Sequence, residues 1–218
     1  MVHAQAAPPA APHDALTLAA SAAVEVPYDV MAMTLSTTRE GTDASAVQSQ
    51  LRQAIDTALT EARKAQRAGQ LEVRTGAFSL SPRYGKQAAI TGWVGQAELA
   101  LEGRDMTAIA QLAGRLNTLT VARVGYSLAR ETRERVEADA VAQAIAKFRA
   151  RAADYAKQFG YAGCTVREVN VGTSEPPIAP PIPRARMMSA APADESIPVE
   201  AGKATVTVQV NGSVQMTR

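Results

Sequence analysis

The most constraining feature of the chain is a regular alternation near its C-terminus. Between residues 204 and 216, apolar side chains occupy every second position for most of the stretch, and polar side chains lie between them. The apolar members are Ala204, Val206, Val208, Val210, Val214 and Met216. A period of two predicts a β-strand with one buried side and one solvent-facing side. Such a strand needs a sheet that is covered on one face.

The rest of the chain supplies the neighbouring strands and the covering helices. We predict further strands at residues 16–26, 28–38, 71–80, 88–102, 121–130 and 164–173, from their extended or alternating patterns. Apolar residues at helical spacing predict helices at about 44–68, after Asp105, and at 131–159. The order is β-β-α-β-β-α-β-α-β-loop-β. The fold class is therefore α+β, with a largely antiparallel sheet packed against three helices.

The third predicted helix is the longest and carries a patterned face. Its apolar residues step by four and three positions in turn: Val141, Ile145, Phe148, Ala152, Tyr155 and Phe159. That spacing is typical of a coiled-coil seam, so we expect these six side chains to be buried.

A proline-rich arm separates the last two strands. Residues 174–198 hold seven of the twelve prolines, and no regular element fits them. The arm carries Ile178, Ile182, Met187 and Met188, which are candidate contacts with a second subunit. Two interpretations stay open, because loops of this length are usually functional or disordered. The arm either lies across a neighbouring copy or is a mobile surface loop.

Composition excludes several kinds of chemistry. The chain has two histidines, His3 and His13, and both lie in an Ala/Pro-rich leader. Serine and cysteine nucleophile systems need an imidazole base, and zinc sites need histidines or several cysteines. Cys164 is the only cysteine, so no intramolecular disulfide is expected. We therefore predict no catalytic residue, no metal site and no cofactor, and we expect no enzyme activity.

Charge and hydropathy limit the kinds of partner and the cellular location that we expect for this chain. The net charge is +2, with 23 basic and 21 acidic side chains, which gives no support for a nucleic-acid partner. No apolar run approaches the ~20 residues of a membrane helix, so no membrane span is expected. Near the N-terminus, Ala4-Gln5-Ala6 has the small-x-small form that signal peptidase accepts. We interpret residues 1–14 as a disordered leader remnant after a signal-peptide region, followed by one domain at 15–217.

Two clusters of side chains are candidate sites of chemistry. Glu131, Glu134, Glu137 and Asp139 open the third helix among several arginines. They fit either an acidic cation or acid/base site or, more simply, a solvated helix start whose acids complement the helix dipole. Met187 and Met188 fit either Cu(I) binding and oxidant uptake or docking on an apolar surface. Met31 and Met33 are predicted core positions of a strand.

Two further groups fit structural roles better than chemical ones. Cys164 opens a predicted strand, and Arg167 lies three residues on, where a strand directs it to the opposite face. We therefore expect Cys164 to act as a small hydrophobe and not as an activated thiolate. Ser79, Ser81 and Tyr84 flank Pro82 without a base of suitable pKa, and we interpret them as turn residues.

Several motifs together resemble the SIMPL-domain family of exported bacterial proteins, which includes the periplasmic immunogenic proteins. They are, in chain order, Val24-x-Val26-Pro27-x-Asp29, Thr75-x-x-Phe78-Ser79-Leu80-x-Pro82-x-Tyr84, Gly92-Trp93, an Ala-rich helix ending at Gly160, and Ile197-Pro198-x-x-x-Gly202. The chain departs from the family pattern at Trp93, Ala201 and Asn211-Gly212. The resemblance covers residues 15–217, and it rests on the order of the motifs.

The resemblance implies a periplasmic or secreted protein that forms a homo-oligomer, with a role in envelope or oxidative stress protection. It supplies no catalytic residue. Two functional hypotheses remain. The first is a non-enzymatic envelope protein that self-assembles. The second is a periplasmic module that binds a small ligand or metal through carboxylates or the methionine pair, or an enzyme that depends on carboxylates.

Overall fold

The computed structural model describes residues 13–85, 89–174 and 201–218. The four residues singled out in the proline-rich arm, Ile178, Ile182, Met187 and Met188, lie outside these ranges. The elements are, in chain order, β1 (Ala15–Pro27), β2 (Val30–Gly41), α1 (Ala44–Ala65), β3 (Glu72–Tyr84), β4 (Ile90–Gly103), α2 (Met106–Arg115), β5 (Thr120–Ser127), α3 (Arg130–Gln158), β6 (Gly163–Ser174) and β7 (Lys203–Thr217). The predicted α+β class, the three helices and the antiparallel sheets are confirmed.

The described residues form two compact units. One contains β1, most of α3, β6 and nearly all of β7, and its three strands are ordered β1-β7-β6. We call it the three-stranded unit. The other contains the elements from β2 to β5, with strands ordered β3-β4-β2-β5, and we call it the four-stranded unit. Each unit has its own apolar core.

The four-stranded unit buries the faces that the sequence patterns predict. On β2, Met31, Met33 and Leu35 are fully buried, and α1 packs Val47, Leu51 and Ile55 into the same core. Helices α1 and α2 each begin at a capping aspartate. Asp43 accepts a hydrogen bond from the Ala46 N–H at 2.7 Å, and Asp105 accepts one from the Ala108 N–H at 2.9 Å. Hydrogen bonds from the Ser45 hydroxyl and the Ala46 N–H hold the pKa of the Asp43 carboxyl below its ordinary value.

The interpretation of Ser79, Ser81 and Tyr84 as turn residues is wrong, because β3 continues through them to Tyr84. Pro82 lies directly opposite Trp93 of β4. Proline is tolerated there because β3 is an edge strand, where a missing N–H need not interrupt a ladder. On β4, Gly92 and Gly95 mark close neighbours: a Cβ added at Gly95 would lie 2.5 Å from Leu51 Cδ1.

The three-stranded unit corrects the predicted face of α3. The buried side chains recur every four residues, at Ala140, Ala144, Phe148, Ala152 and Ala156. Two members of the predicted seam, Phe148 and Ala152, are buried, but Ile145, Tyr155 and Phe159 are 38%, 39% and 64% exposed. A step of four residues drifts around a helix of 3.6 residues per turn, so this buried stripe winds slowly around α3. Alanines allow the close approach that the predicted larger residues would prevent.

Candidate functional site

The acidic start of α3 shows no metal-binding arrangement. Glu131 and Glu134 each have an interaction partner in the structure. Across residues 13–85, 89–174 and 201–218, no three acidic, histidine or cysteine side chains lie close enough together to hold a metal ion. Glu131, Glu134 and Asp139 are exposed in the first turns of α3.

Cys164 lies on the sheet face that supports α3. It is half-buried, faces Met216 across the β6–β7 pair, and packs against the core of the three-stranded unit. Arg167 is directed away from it, and its Nη1 donates a hydrogen bond to Gln215 Oε1 at 3.0 Å. The guanidinium of Arg167 is therefore not placed to stabilise a thiolate at Cys164, as the strand spacing predicts.

Ser79, Ser81 and Tyr84 lie exposed along β3. The neighbouring cation, Arg83, is engaged with Glu40, whose Oε2 accepts from Arg83 Nη1 at 2.8 Å. The three hydroxyl groups are thus held on an open strand edge and not around a common point. That arrangement matches a structural role.

A groove of about 700 Å³ runs along α1 in the four-stranded unit, and its charged lining is Asp56, Glu61, Lys64 and Arg115. Lys64 Nζ lies 2.7 Å from Glu61 Oε2. This hydrogen bond and the charge of Lys64 hold the pKa of the Glu61 carboxyl below its ordinary value. A carboxylate with a lowered pKa is a weak base at neutral pH, so Glu61 is poorly suited to act as a general base.

The edge strand β6 of the three-stranded unit carries three exposed valines. Val166, Val169 and Val171 are 56%, 42% and 44% exposed, and we call these three residues the β6 surface. They lie opposite Val214, Gly212 and Val210 of β7. Valines 166 and 169 share a face although they are three residues apart, because Arg167 forms a bulge between Val166 and Glu168. The sequence predicts the strand but carries no signal for the bulge.

A family model matches residues 16–214, nearly the whole chain. The model is SIMPL, described as a protein of unknown function (DUF541). The chain belongs to the SIMPL family. No curated protein matches this SIMPL chain. None of the helices in the described ranges is both long and apolar enough to cross a membrane.

Among solved structures, the SIMPL chain is similar to part of AtUAH, in a complex with glyoxylate and in a complex with (S)-hydroxyglycine. The identities are 11% and 12%, and the TM-scores are 0.27 and 0.26. In both cases the match covers 52% of this chain and 29% of the AtUAH chain. The chain thus spans less than a third of AtUAH, and a likeness at these TM-scores carries no argument about activity.

Asp29, in the first motif of the SIMPL resemblance, joins strand ends of the four-stranded unit. Its N–H donates to Ser127 O at 3.2 Å, and its Oδ1 accepts from the Ala129 N–H at 2.6 Å. Beside it, the ring of Tyr28 stacks on Tyr126 with 6.4 Å between centroids, and burial raises the pKa of the Tyr126 hydroxyl. These contacts give this part of the motif an architectural role.

Proposed function

We propose that this SIMPL protein is exported to the periplasm or secreted, where it works without a catalytic step by assembling with copies of itself. The exposed β6 surface carries the proposal. Contact of these three valines with a second copy removes apolar area from water, and burial of apolar area favours association. The physiological role that we propose, protection against envelope or oxidative stress, is supported by the family resemblance.

Export has a direct test. When the complete coding sequence is expressed in a Gram-negative host, we expect the protein in the periplasmic fraction, cut near Ala6. Signal peptidase requires a small residue at the cleavage position, so Ala6→Lys is expected to accumulate the uncut form. Immunoblots of the fractions measure both results. Uncut wild-type protein in the cytoplasm would contradict the proposal.

Self-assembly is tested by light scattering coupled to size exclusion. We expect the wild-type protein to elute with a mass of two or more chains. The Pro-rich arm is a second proposed contact, through Ile178, Ile182, Met187 and Met188. Replacement of residues 176–192 by a short Gly/Ser linker is expected to lower the mass of the assembly and to leave the circular dichroism spectrum unchanged. An unchanged mass and melting temperature would show that the arm is a passive loop.

A further inference from the structure

Strand β6 is the open edge of the three-stranded sheet. Within the described residues it pairs only with β7, so one row of its backbone donors and acceptors lacks a neighbouring strand. The other edge, β1, is covered by long cationic side chains of α3. Arg151 Nη1 donates to Ala19 O at 3.0 Å, and Lys147 Nζ donates to Ser21 O at 3.4 Å. These two cations bond to backbone carbonyl groups of β1 and block strand addition there, whereas the charged side chains of β6, Arg167 and Glu168, lie on one face of the strand.

The bulge gives β6 an internal symmetry. The side chains that face α3 are Cys164, Val166, Val169 and Val171, which oppose Met216, Val214, Gly212 and Val210. The side chains on the other face are those of Thr165, Arg167, Glu168 and Asn170. Three of them are placed there by their partners on β7: Thr165 lies opposite Gln215, Glu168 opposite Ser213, and Asn170 opposite Asn211. Arg167 lies on the same face because its side chain donates a hydrogen bond to Gln215. Both sets are symmetric about the midpoint between Arg167 and Glu168.

This symmetry determines how the strand can pair with itself. In an antiparallel pair, directly opposed residues share a face. A two-fold axis between two adjacent residues would place each of them opposite the other residue of the second copy. In a regular strand adjacent side chains point to opposite faces, so such an axis is not possible there. The bulge places Arg167 and Glu168 on the same face, and it therefore permits that axis.

We propose that β6 pairs antiparallel with β6 of a second copy, with the two-fold axis between Arg167 and Glu168. Arg167 of each copy then lies opposite Glu168 of the other, which gives two opposite-charge pairs. Val166 lies opposite Val169, Thr165 opposite Asn170, and Cys164 opposite Val171. Every pair matches in face, and the β6 surfaces of the two copies lie side by side on one face of the joined sheet. This isologous contact joins two three-stranded sheets into one. The inference rests on the proposed self-assembly and specifies its register.

The native cysteine provides a probe of the register. In Val171→Cys, Cys164 of one copy should face the new thiol of the other, so mild oxidation is expected to give a reducible covalent dimer on a non-reducing gel. The two thiols of one chain are seven residues apart, about 23 Å along a strand, too far for an internal disulfide. Val169→Cys is the matched control, because its thiol lies about 7–8 Å diagonally from the opposing Cys164. Cys164→Ser with Val171→Cys should not cross-link.

Charge reversal provides a second test that does not depend on thiols. Arg167→Glu places Glu opposite Glu twice, and Glu168→Arg places Arg opposite Arg twice. Each variant is expected to weaken self-association by about tenfold, since each cross-strand charge pair contributes several tenths of a kcal/mol and the contact has two. The double variant restores opposite charges and should return to within about threefold of wild type. Circular dichroism checks that each variant is folded.

The outcomes separate this register from self-assembly as such. An assembled wild-type protein that neither cross-links through Val171→Cys nor responds to the charge reversals would overturn the β6 pairing and leave assembly in place through the arm or another surface. Cross-linking of Val169→Cys as efficient as that of Val171→Cys would overturn the register. A wild-type chain that stays monomeric at every concentration would overturn both this pairing and the proposed function.

Discussion

Replacing Gly103 with alanine is expected to destabilise the four-stranded unit by at least about 3 kcal/mol. Gly103 ends β4, and the Gln70–Leu71 backbone crosses it so closely that a Cβ at this position would overlap Gln70 O and lie 2.9 Å from Leu71 Cα. That backbone cannot move aside freely. Gln70 O accepts a hydrogen bond from the Asp105 N–H at 3.1 Å, and Leu71 exchanges two hydrogen bonds with Arg67.

Urea unfolding followed by circular dichroism measures this loss, and Gly125→Ala is the matched control. Gly125 lies on β5 of the same sheet, where an added Cβ meets only Ala32 O at 4.0 Å. The control should stay within about 0.5 kcal/mol of wild type, or gain slightly because alanine restricts the unfolded chain. Equal free energies of unfolding for the two variants would show that the chain over Gly103 yields easily.

The fold class could be predicted because most elements carry a clear period. The alternation in β7 is observed as predicted, with Val206, Val208, Val210 and Val214 buried. The four-residue spacing of α1 likewise predicts its buried face. In these elements a single face packs on one core, so the sequence pattern and the burial pattern coincide.

The face of α3 could not be predicted in the same way. Two apolar stripes cross on this helix at Phe148 and Ala152, and one continues through larger residues while the other continues through alanines. The choice between them depends on the sheet beneath, because only small side chains allow the helix to lie close to it. Propensity and spacing within the helix do not contain that information. Tertiary packing decides which stripe is buried.

The candidate site on β6 was also hidden from the sequence. The exposed valines look like ordinary strand residues, and the bulge at Arg167 depends on the pairing with β7. In β7, the residue related to this bulge is Gly212, where the chain departs from the SIMPL family pattern. A Cβ there would overlap Glu168 O of the bulged strand and lie 3.2 Å from Phe148 Cζ. Glycine therefore fits between the bulge and the ring, but this reason becomes visible only when the three residues are seen together.

Replacing Phe148 with alanine is expected to cost about 3–5 kcal/mol of the free energy of unfolding. Phe148 is 2% exposed and is the largest fully enclosed side chain in the core of the three-stranded unit. The neighbours on its stripe are alanines, which are too short to fill the space, and no side chain can be added at Gly212 beneath it. The cavity would therefore stay largely open, which places the loss toward the upper part of this range.

Phe159→Ala is the matched control, because it removes the same ring just beyond the end of α3 from a position that is 64% exposed. Its free energy of unfolding should change by less than about 0.5 kcal/mol.

The same two variants compare the effects of a core position and a surface position on the mass of the assembly. Phe148 supports Gly212, which opposes Val169 of β6, so Phe148→Ala is expected to loosen the β6 edge and lower the mass of the assembly in light scattering. Phe159→Ala should keep that mass. If Phe148→Ala unfolds no more readily than Phe159→Ala, the alanine stripe does not hold α3 on the sheet, and the corrected face of the helix is wrong.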